Sequence, residues 1–368
     1  MKKVVLLTVF AILFNFSLFF LSKYSFPYKG FFPYKGVAKE YSKNFLSKTA
    51  NFDGVHYLKI AKSGYDQYEQ AFFPLYPLII KFLSPFFSGN LLYAAILLSN
   101  LSLILGTIFF YKTIRSLLKE KQAFWALIFF LSFPTGFYLS SIYTEALFFM
   151  LFFAGFYFLQ KNRVYPSFLS FYLLGLTRVV GVLSIPAIIL TEKGKKKGFF
   201  LSLAPLLGLL TYMLYLYKTT GDPLFFFTSQ PAFGANRSTH LILLPQVFYR
   251  YFKIFIFSNI SFVYFTAVLE FSFFILIFTL LLFYGWKLFK KNLWGFESGI
   301  WFFSFTSLII PTLTGTLSSI PRYGLLCFSI FIFLAKIKNT YLKLIITLFF
   351  LTLKTILTFL FAQGYFVS

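Results

Sequence analysis

The sequence predicts an all-α polytopic membrane protein, and three observations carry that prediction. Of 368 residues 59% are hydrophobic, with 60 Phe and 25 Tyr against 10 acidic residues, more apolar side chain than an ordinary soluble core accounts for. Many windows of about 20 residues carry little or no charge, the length a helix needs to cross the hydrocarbon layer with its backbone hydrogen bonds closed internally. These runs do not alternate apolar with polar positions, as a membrane barrel would require. The net charge of +24 would suit a nucleic acid, but the lysines and arginines stand in short loops between apolar runs, which is the pattern of membrane topology. Nucleic acid is therefore set aside as a partner. The single cysteine, Cys327, excludes an internal disulfide and reads as buried packing.

Taken in order, Met1-Lys2-Lys3 precedes an apolar run from Val4 to Leu21 that is long enough to span and has no small-residue cleavage site before Tyr24. It is expected to be the first helix, with Lys2 and Lys3 in the cytoplasm. Residues 23–90 then form the longest connection. It opens with a near-duplication, Phe26-Pro27-Tyr28-Lys29-Gly30 and Phe32-Pro33-Tyr34-Lys35-Gly36, either an interfacial turn-rich patch or a duplication without a role. A crossing over 91–111 ends in Lys112, Arg115, Lys119 and Lys121; crossings over 122–139 and 142–160 follow, the latter before Lys161 and Arg163.

A simple crossing over 165–190 would place Lys193, Lys195, Lys196 and Lys197 outside, and Arg178, Gly181 and Pro186 interrupt the run. Two short helical pieces that dip into the layer and return resolve the conflict, a form used where broken backbone lines an enclosed cavity. After a crossing over 199–217 comes a second outer segment, 218–253, containing His240. The apolar stretch 254–286 exceeds one crossing, so its first part is expected along the interface, with Lys287, Lys290 and Lys291 fixing its end inside. Crossings over 299–315, 322–335 and 341–364 complete a single domain spanning 1–368. The alternation puts Asp53, Asp222 and Arg322 on the outer face, with Arg178 near it.

Asp53 sits in a polar connection, where a carboxylate can deprotonate an attacking hydroxyl; an Asx turn before Gly54 is the structural alternative. His56, three residues on, shares a helical face with it and suits either substrate or solvent. Arg178 and Arg322 at membrane depth call for a partner or a polar cavity, and a guanidinium matches phosphate; bundle stabilisation or snorkelling competes with that use. Lys354 suits the same uses, but near a helix end it is flexible enough to snorkel. Glu145 favours a helix start electrostatically, with orientation of an acceptor or of Arg178 as a further use. Asp222 before Pro223 reads as a turn or helix-start residue. No phosphate-binding glycine loop, HExxH or nucleophile signature is present, and two histidines with one cysteine make no His/Cys metal set. Oxygen ligands for Mg or Mn stay open, although Asp53 and Asp66 are too distant in sequence to establish a pair.

Phe52-Asp53-Gly54-Val55-His56-Tyr57-Leu58, with Ile60-Ala61, Gly64-Tyr65 and Ala71-Phe72-Phe73-Pro74-Leu75-Tyr76-Pro77-Leu78, resembles the PIG-V family of membrane mannosyltransferases and its prokaryotic relatives. Tyr143-Thr144-Glu145-Ala146-Leu147-Phe148, Thr177-Arg178-Val179-Val180-Gly181, Gly221-Asp222-Pro223-Leu224-Phe225-Phe226 and Pro321-Arg322-Tyr323 extend the likeness. The resemblance implies a GT-C-like fold of about 10–12 spanning or partly spanning helices. It makes Asp53 the catalytic base, His56 and Glu145 contacts to sugar, and Arg178 and Arg322 contacts to donor phosphate. It further implies a polyprenyl-phosphate-linked donor, most simply of mannose, a lipid-linked or glycan acceptor, inversion, and an active site on the outer or luminal face, with no cofactor. The duplicated insert and short length favour a bacterial or archaeal acceptor. A lipid or glycolipid transporter, or an enzyme of the same fold carrying another sugar, is the competing expectation.

Overall fold

The computed structural model describes residues 1–27, 35–233, 237–290 and 295–367, and among them the regular structure is helical, with no strand. Most of the Phe26–Gly36 duplication lies outside the described residues. Helix α1 (Lys2–Leu21) leads to a first connection that holds α2 (Lys35–Tyr41), α3 (Asp53–Ser63) and α4 (Leu75–Leu83). Next come α5 (Leu91–Ile114), α6 (Glu120–Ser132) and α7 (Glu145–Gln160). The broken segment is α8 (Val164–Gly175) and α9 (Ser184–Thr191), followed by α10 (Lys196–Thr220). A second connection holds α11 (Phe225–Thr228) and α12 (Leu244–Phe257). The chain ends with α13 (Phe262–Phe289), α14 (Phe296–Thr312), the single turn α15 (Ile320–Tyr323), α16 (Phe328–Ala335) and α17 (Thr340–Ala362).

Among the described residues five helices, α1, α5, α10, α13 and α17, are long and apolar enough to cross a bilayer. At 1.5 Å per residue they reach about 30–42 Å, matching the hydrocarbon layer. Their outer stripes are exposed and apolar at helical spacing: Leu6, Phe10 and Leu13 on α1, Leu203, Leu207, Leu210 and Leu214 on α10, Leu344 and Leu348 on α17. Their inward faces carry the polar groups. Lys354, in the middle of α17, does not snorkel: it is buried, and its Nζ donates at 2.8 Å to Leu131 O in the last turn of α6, a carbonyl left over by the helix end.

The buried centre is α7, whose Phe148, Phe149, Phe152, Phe153 and Phe156 are each at most 1% exposed. Phe152 meets Phe303 of α14 at 4.5 Å between ring centres, and Phe149 stacks on Phe130 of α6 at 4.2 Å. Gly106 on α5 is what lets that helix close on α7, since a β-carbon there would stand 2.6 Å from the Phe149 ring.

Two expected crossings are corrected in detail, and a third stretch divides as its length required. The region expected to cross over 322–335 is α15, a tight turn and then the eight-residue α16, with the helix broken at Cys327; eight residues rise only about 12 Å, so this piece is enclosed by protein. The long stretch 254–286 begins inside a separate helix, α12, and breaks at 258–261 before α13. The crossing over 122–139 stops at Ser132, and the chain reaches Glu145 through a tight turn at Gly136–Ser140.

The α8–α9 break stands as expected. Lys197 Nζ contacts both Asn162, just before α8, and Glu192, just after α9, at 2.9 and 3.5 Å, while the intervening Arg178 reaches Glu145 at the opposite end of α7. The piece is a hairpin with both feet at one end of the molecule. Those feet, with Lys112, Arg115 and Lys161, border a basic cavity of about 660 Å³ at that end.

Candidate active site

Asp53 opens α3 at the end of the molecule away from that basic cavity. The preceding Phe52 has φ 61°, a conformation rarely adopted by a side-chain-bearing residue, and its ring is held against Phe361 and Phe366 at 5.6 and 5.4 Å. Asn51 Nδ2 donates to Phe361 O at 2.9 Å; Tyr143 Oη donates to Asn51 O at 2.8 Å and accepts from the Asp53 backbone N–H at 3.3 Å. This fixes the start of α3, and the helix dipole favours the charge placed there. Gly54 follows because a β-carbon at this point would meet Ile142 O at 3.1 Å, on the segment that carries Tyr143 and Glu145.

Four charged side chains form a line. Arg322 donates from one NH group to Asp53 Oδ2 at 2.6 Å and lies 3.5 Å from Glu145 Oε1, which also accepts from Arg178 at 2.5 Å. The Arg322 guanidinium stands over the Tyr138 and Tyr143 rings at 5.6 and 5.5 Å, and Arg178 over Tyr323 at 5.5 Å, so both planar groups are braced. Arg178 is delivered by the gap between α8 and α9, Glu145 by the first residue of α7, and Arg322 by the turn α15, which Thr135 Oγ1 anchors by donating to Pro321 O at 2.8 Å. The side chain of Asp53 retains 28% exposure against 2% for Glu145; both line the cavity, and Glu145 pairs with both arginines. Burial opposes ionisation of Asp53, but the charge and hydrogen bond of Arg322 outweigh it, and the carboxyl lies below the usual carboxylate range. Glu145 Oε2 and Arg322 Nε are buried without a hydrogen-bond partner among the described residues.

These residues line a cavity of about 140 Å³ roofed by the second connection. Phe233 from that connection meets His56 and Phe72 edge-on at 5.2 and 5.0 Å. His56 itself stacks on Phe72 at 5.0 Å and bonds through Nδ1 to Glu69 Oε1 at 3.1 Å, one layer behind the cavity wall. Asp222 is a turn residue: its carboxylate accepts from Leu224 N at 2.8 Å and from the Thr228 hydroxyl at 3.0 Å. Asp66 pairs with Lys59 at 2.9 Å, and His240 is exposed. The structure thus brings Asp53, Glu145, Arg178 and Arg322 together and sets His56 beside them, with Glu69, Gln230 and Arg237, which the sequence did not single out, close by. Gln230 and Arg237 line the cavity. No three His, Cys, Asp or Glu side chains converge as a metal site among the described residues.

The profile of the mannosyltransferase (PIG-V) family matches residues 4–206, more than half of the chain. The chain belongs to the PIG-V family. No curated protein matches it. The matched part of this PIG-V mannosyltransferase contains Asp53, Glu145 and Arg178, whereas Arg322, Gln230 and Arg237 come from beyond it. At this cavity the mannosyltransferase has a partly exposed carboxylate, Asp53, a buried one, Glu145, and the guanidinium groups of Arg178 and Arg322.

Proposed function

We propose that the chain transfers mannose from a polyprenyl-phosphate donor to a hydroxyl of a lipid-linked or glycan acceptor, inverting the anomeric carbon, with Asp53 as the base. The observation that carries this reading is the Asp53–Arg322 pair at the cavity wall: a reachable carboxylate bonded to a cation that a phosphate can also use. The acceptor oxygen attacks the anomeric carbon opposite the phosphate, the new glycosidic bond forms as the bond from that carbon to the phosphate oxygen breaks, and Asp53 takes the hydroxyl proton. Charge balances: the donor diester and carboxylate carry two negative charges before reaction, and the polyprenyl monophosphate dianion carries them afterwards. Protonation of Asp53 frees Arg322, and with Arg178 it faces the charge developing on the leaving phosphate. His56 and Glu145 act at the sugar side, His56 through the wall it shares with Phe72 and Phe233. The GT-C-like single domain, the outer or luminal placement of this cavity and the cytoplasmic N-terminus belong to the same proposal, supported by the basic cavity at the other end.

Purified protein is offered radiolabelled mannosyl polyprenyl phosphate or a nucleotide-linked mannose, with membrane lipid extract as acceptor source. Label is expected to pass from the lipid donor alone, into a product of opposite anomeric configuration. Transfer from the nucleotide sugar alone, or retention of configuration, overturns the reading; labelled lipid moved across a vesicle with no new glycosidic bond indicates a transporter.

A further inference from the structure

The charged line at the cavity is internally balanced. Asp53 and Glu145 offset Arg178 and Arg322, and Glu145 touches both arginines. Before any proton has moved, this cluster has no charge to spare for an incoming phosphodiester anion. Arg237 stands outside the balance. One of its NH groups donates to Gln230 Oε1 at 2.7 Å and another to Ser319 Oγ at 3.3 Å, and no carboxylate pairs with it among the described residues. It lines the same cavity, and its charge acts on Asp53 and on Glu270, with neither of which it forms an ion pair.

Its position is built. Ser238 N donates to Thr314 O and Ile242 N to Leu313 O, each at 2.9 Å, and Arg250 donates to Gly315 O at 3.0 Å. These bonds lay the residues after Arg237 along the loop that runs on to Ser319 and Arg322. Tyr251 braces that loop further: its Oη accepts from Leu317 N at 3.0 Å and donates to Glu270 of α13 at 2.5 Å. A partly buried guanidinium whose partners are a neutral amide and a hydroxyl gives up little in exchanging them for phosphate oxygens, because charge-assisted bonds are about twice as strong.

Building on the mannosyl-transfer reading, we infer that Arg237, with Gln230 and Ser319 as its neutral guides, is the ground-state binding site for the phosphate of the polyprenyl-phosphate donor. Arg322 then remains with Asp53 until the proton moves. Arg237 thus governs donor binding and Arg322 turnover, a division that kinetics can separate.

The full chain in detergent is compared with Arg237→Gln and Arg237→Lys, each checked for folding by gel filtration and thermal unfolding. Arg237→Gln is expected to raise the donor KM by about 10- to 100-fold, the loss of one or two charge-assisted bonds, with kcat within about threefold and the acceptor KM unchanged. Arg237→Lys recovers part of the loss. Farnesyl phosphate, measured by direct binding without turnover, weakens in parallel, while farnesol, which lacks the phosphate, shows no such dependence. A folded Arg237→Gln protein that keeps donor KM and farnesyl phosphate affinity within about twofold overturns the assignment, as does a collapse of kcat alone. Binding of farnesyl phosphate through Arg237 by a wild type that transfers no mannose would defeat the mannosyl-transfer reading and leave the phosphate site standing. Transfer with phosphate binding indifferent to Arg237 would do the reverse.

Discussion

Asp53 was legible in the sequence because an acid followed by Gly and a nearby His stands in a long polar connection between apolar runs. Arg178 and Arg322 were legible because arginine amid apolar residues calls for a counter-charge. Arg237 was not, since a cation in a polar loop is ordinary and only the folded chain shows that no carboxylate meets it; Glu69 was hidden likewise, its pairing with His56 being set by the turn between α3 and α4. The depressed pKa of Asp53 has a consequence for pH. Its ion pair contributes stability that is fully present above the unfolded value near 3.9 and is lost only as pH falls through the lower folded value. The difference in thermal midpoint between wild type and Asp53→Asn should therefore stay level from about pH 8 to pH 5 and shrink below about pH 4, as differential scanning in detergent would show. A difference that fades between pH 7 and 5 would mean that the pair does not hold the carboxyl ionised.

Helix existence followed from apolar length, but helix breaks did so unevenly. The α8–α9 break was announced by Arg178, Gly181 and Pro186; the breaks before α16 and α13 have signals too, in Pro321 and Gly324 and in Ser258, Asn259 and the capping Ser261, which the apolar runs around them outweighed. Close contact between α8 and α10 rests on glycine: a β-carbon on Gly175 would lie 2.2 Å from Pro205 O, and one on Gly208 2.2 Å from Tyr172 O. These are backbone atoms that cannot step aside, as at other small-residue helix crossings in membranes. Gly175→Ala should lower stability by about 1–3 kcal/mol, and weaken activity because Arg178 follows three residues later. Thermal unfolding with Gly36→Ala as the control, a position with no neighbouring atom within 4 Å among the described residues, checks this; equal midpoints would contradict the close crossing.

At the scale of the whole molecule, the paired acids and arginines stand at one end, and the feet of the α8–α9 hairpin, bordered by Lys112, Arg115 and Lys161, stand at the other. Charge in the short loops made this polarity readable, though not the folding of the second connection over the first, where Phe233 meets His56 and Phe72 and Phe226 meets Phe73. With Cys327 replaced by Ser, single cysteines at Lys161 and Lys195 should react with an impermeant maleimide only after permeabilisation, and one at His240 in intact cells. The opposite pattern would place the cavity on the cytoplasmic side.

The most direct measurement is transfer by Asp53→Asn at saturating donor and acceptor, alongside donor binding by the same protein. Loss of a general base predicts a fall in kcat of at least about 100-fold. Donor affinity should be retained or improved, since Arg322 is released from its partner. A folded Asp53→Asn enzyme that transfers mannose at the wild-type rate would contradict the role given to this carboxylate.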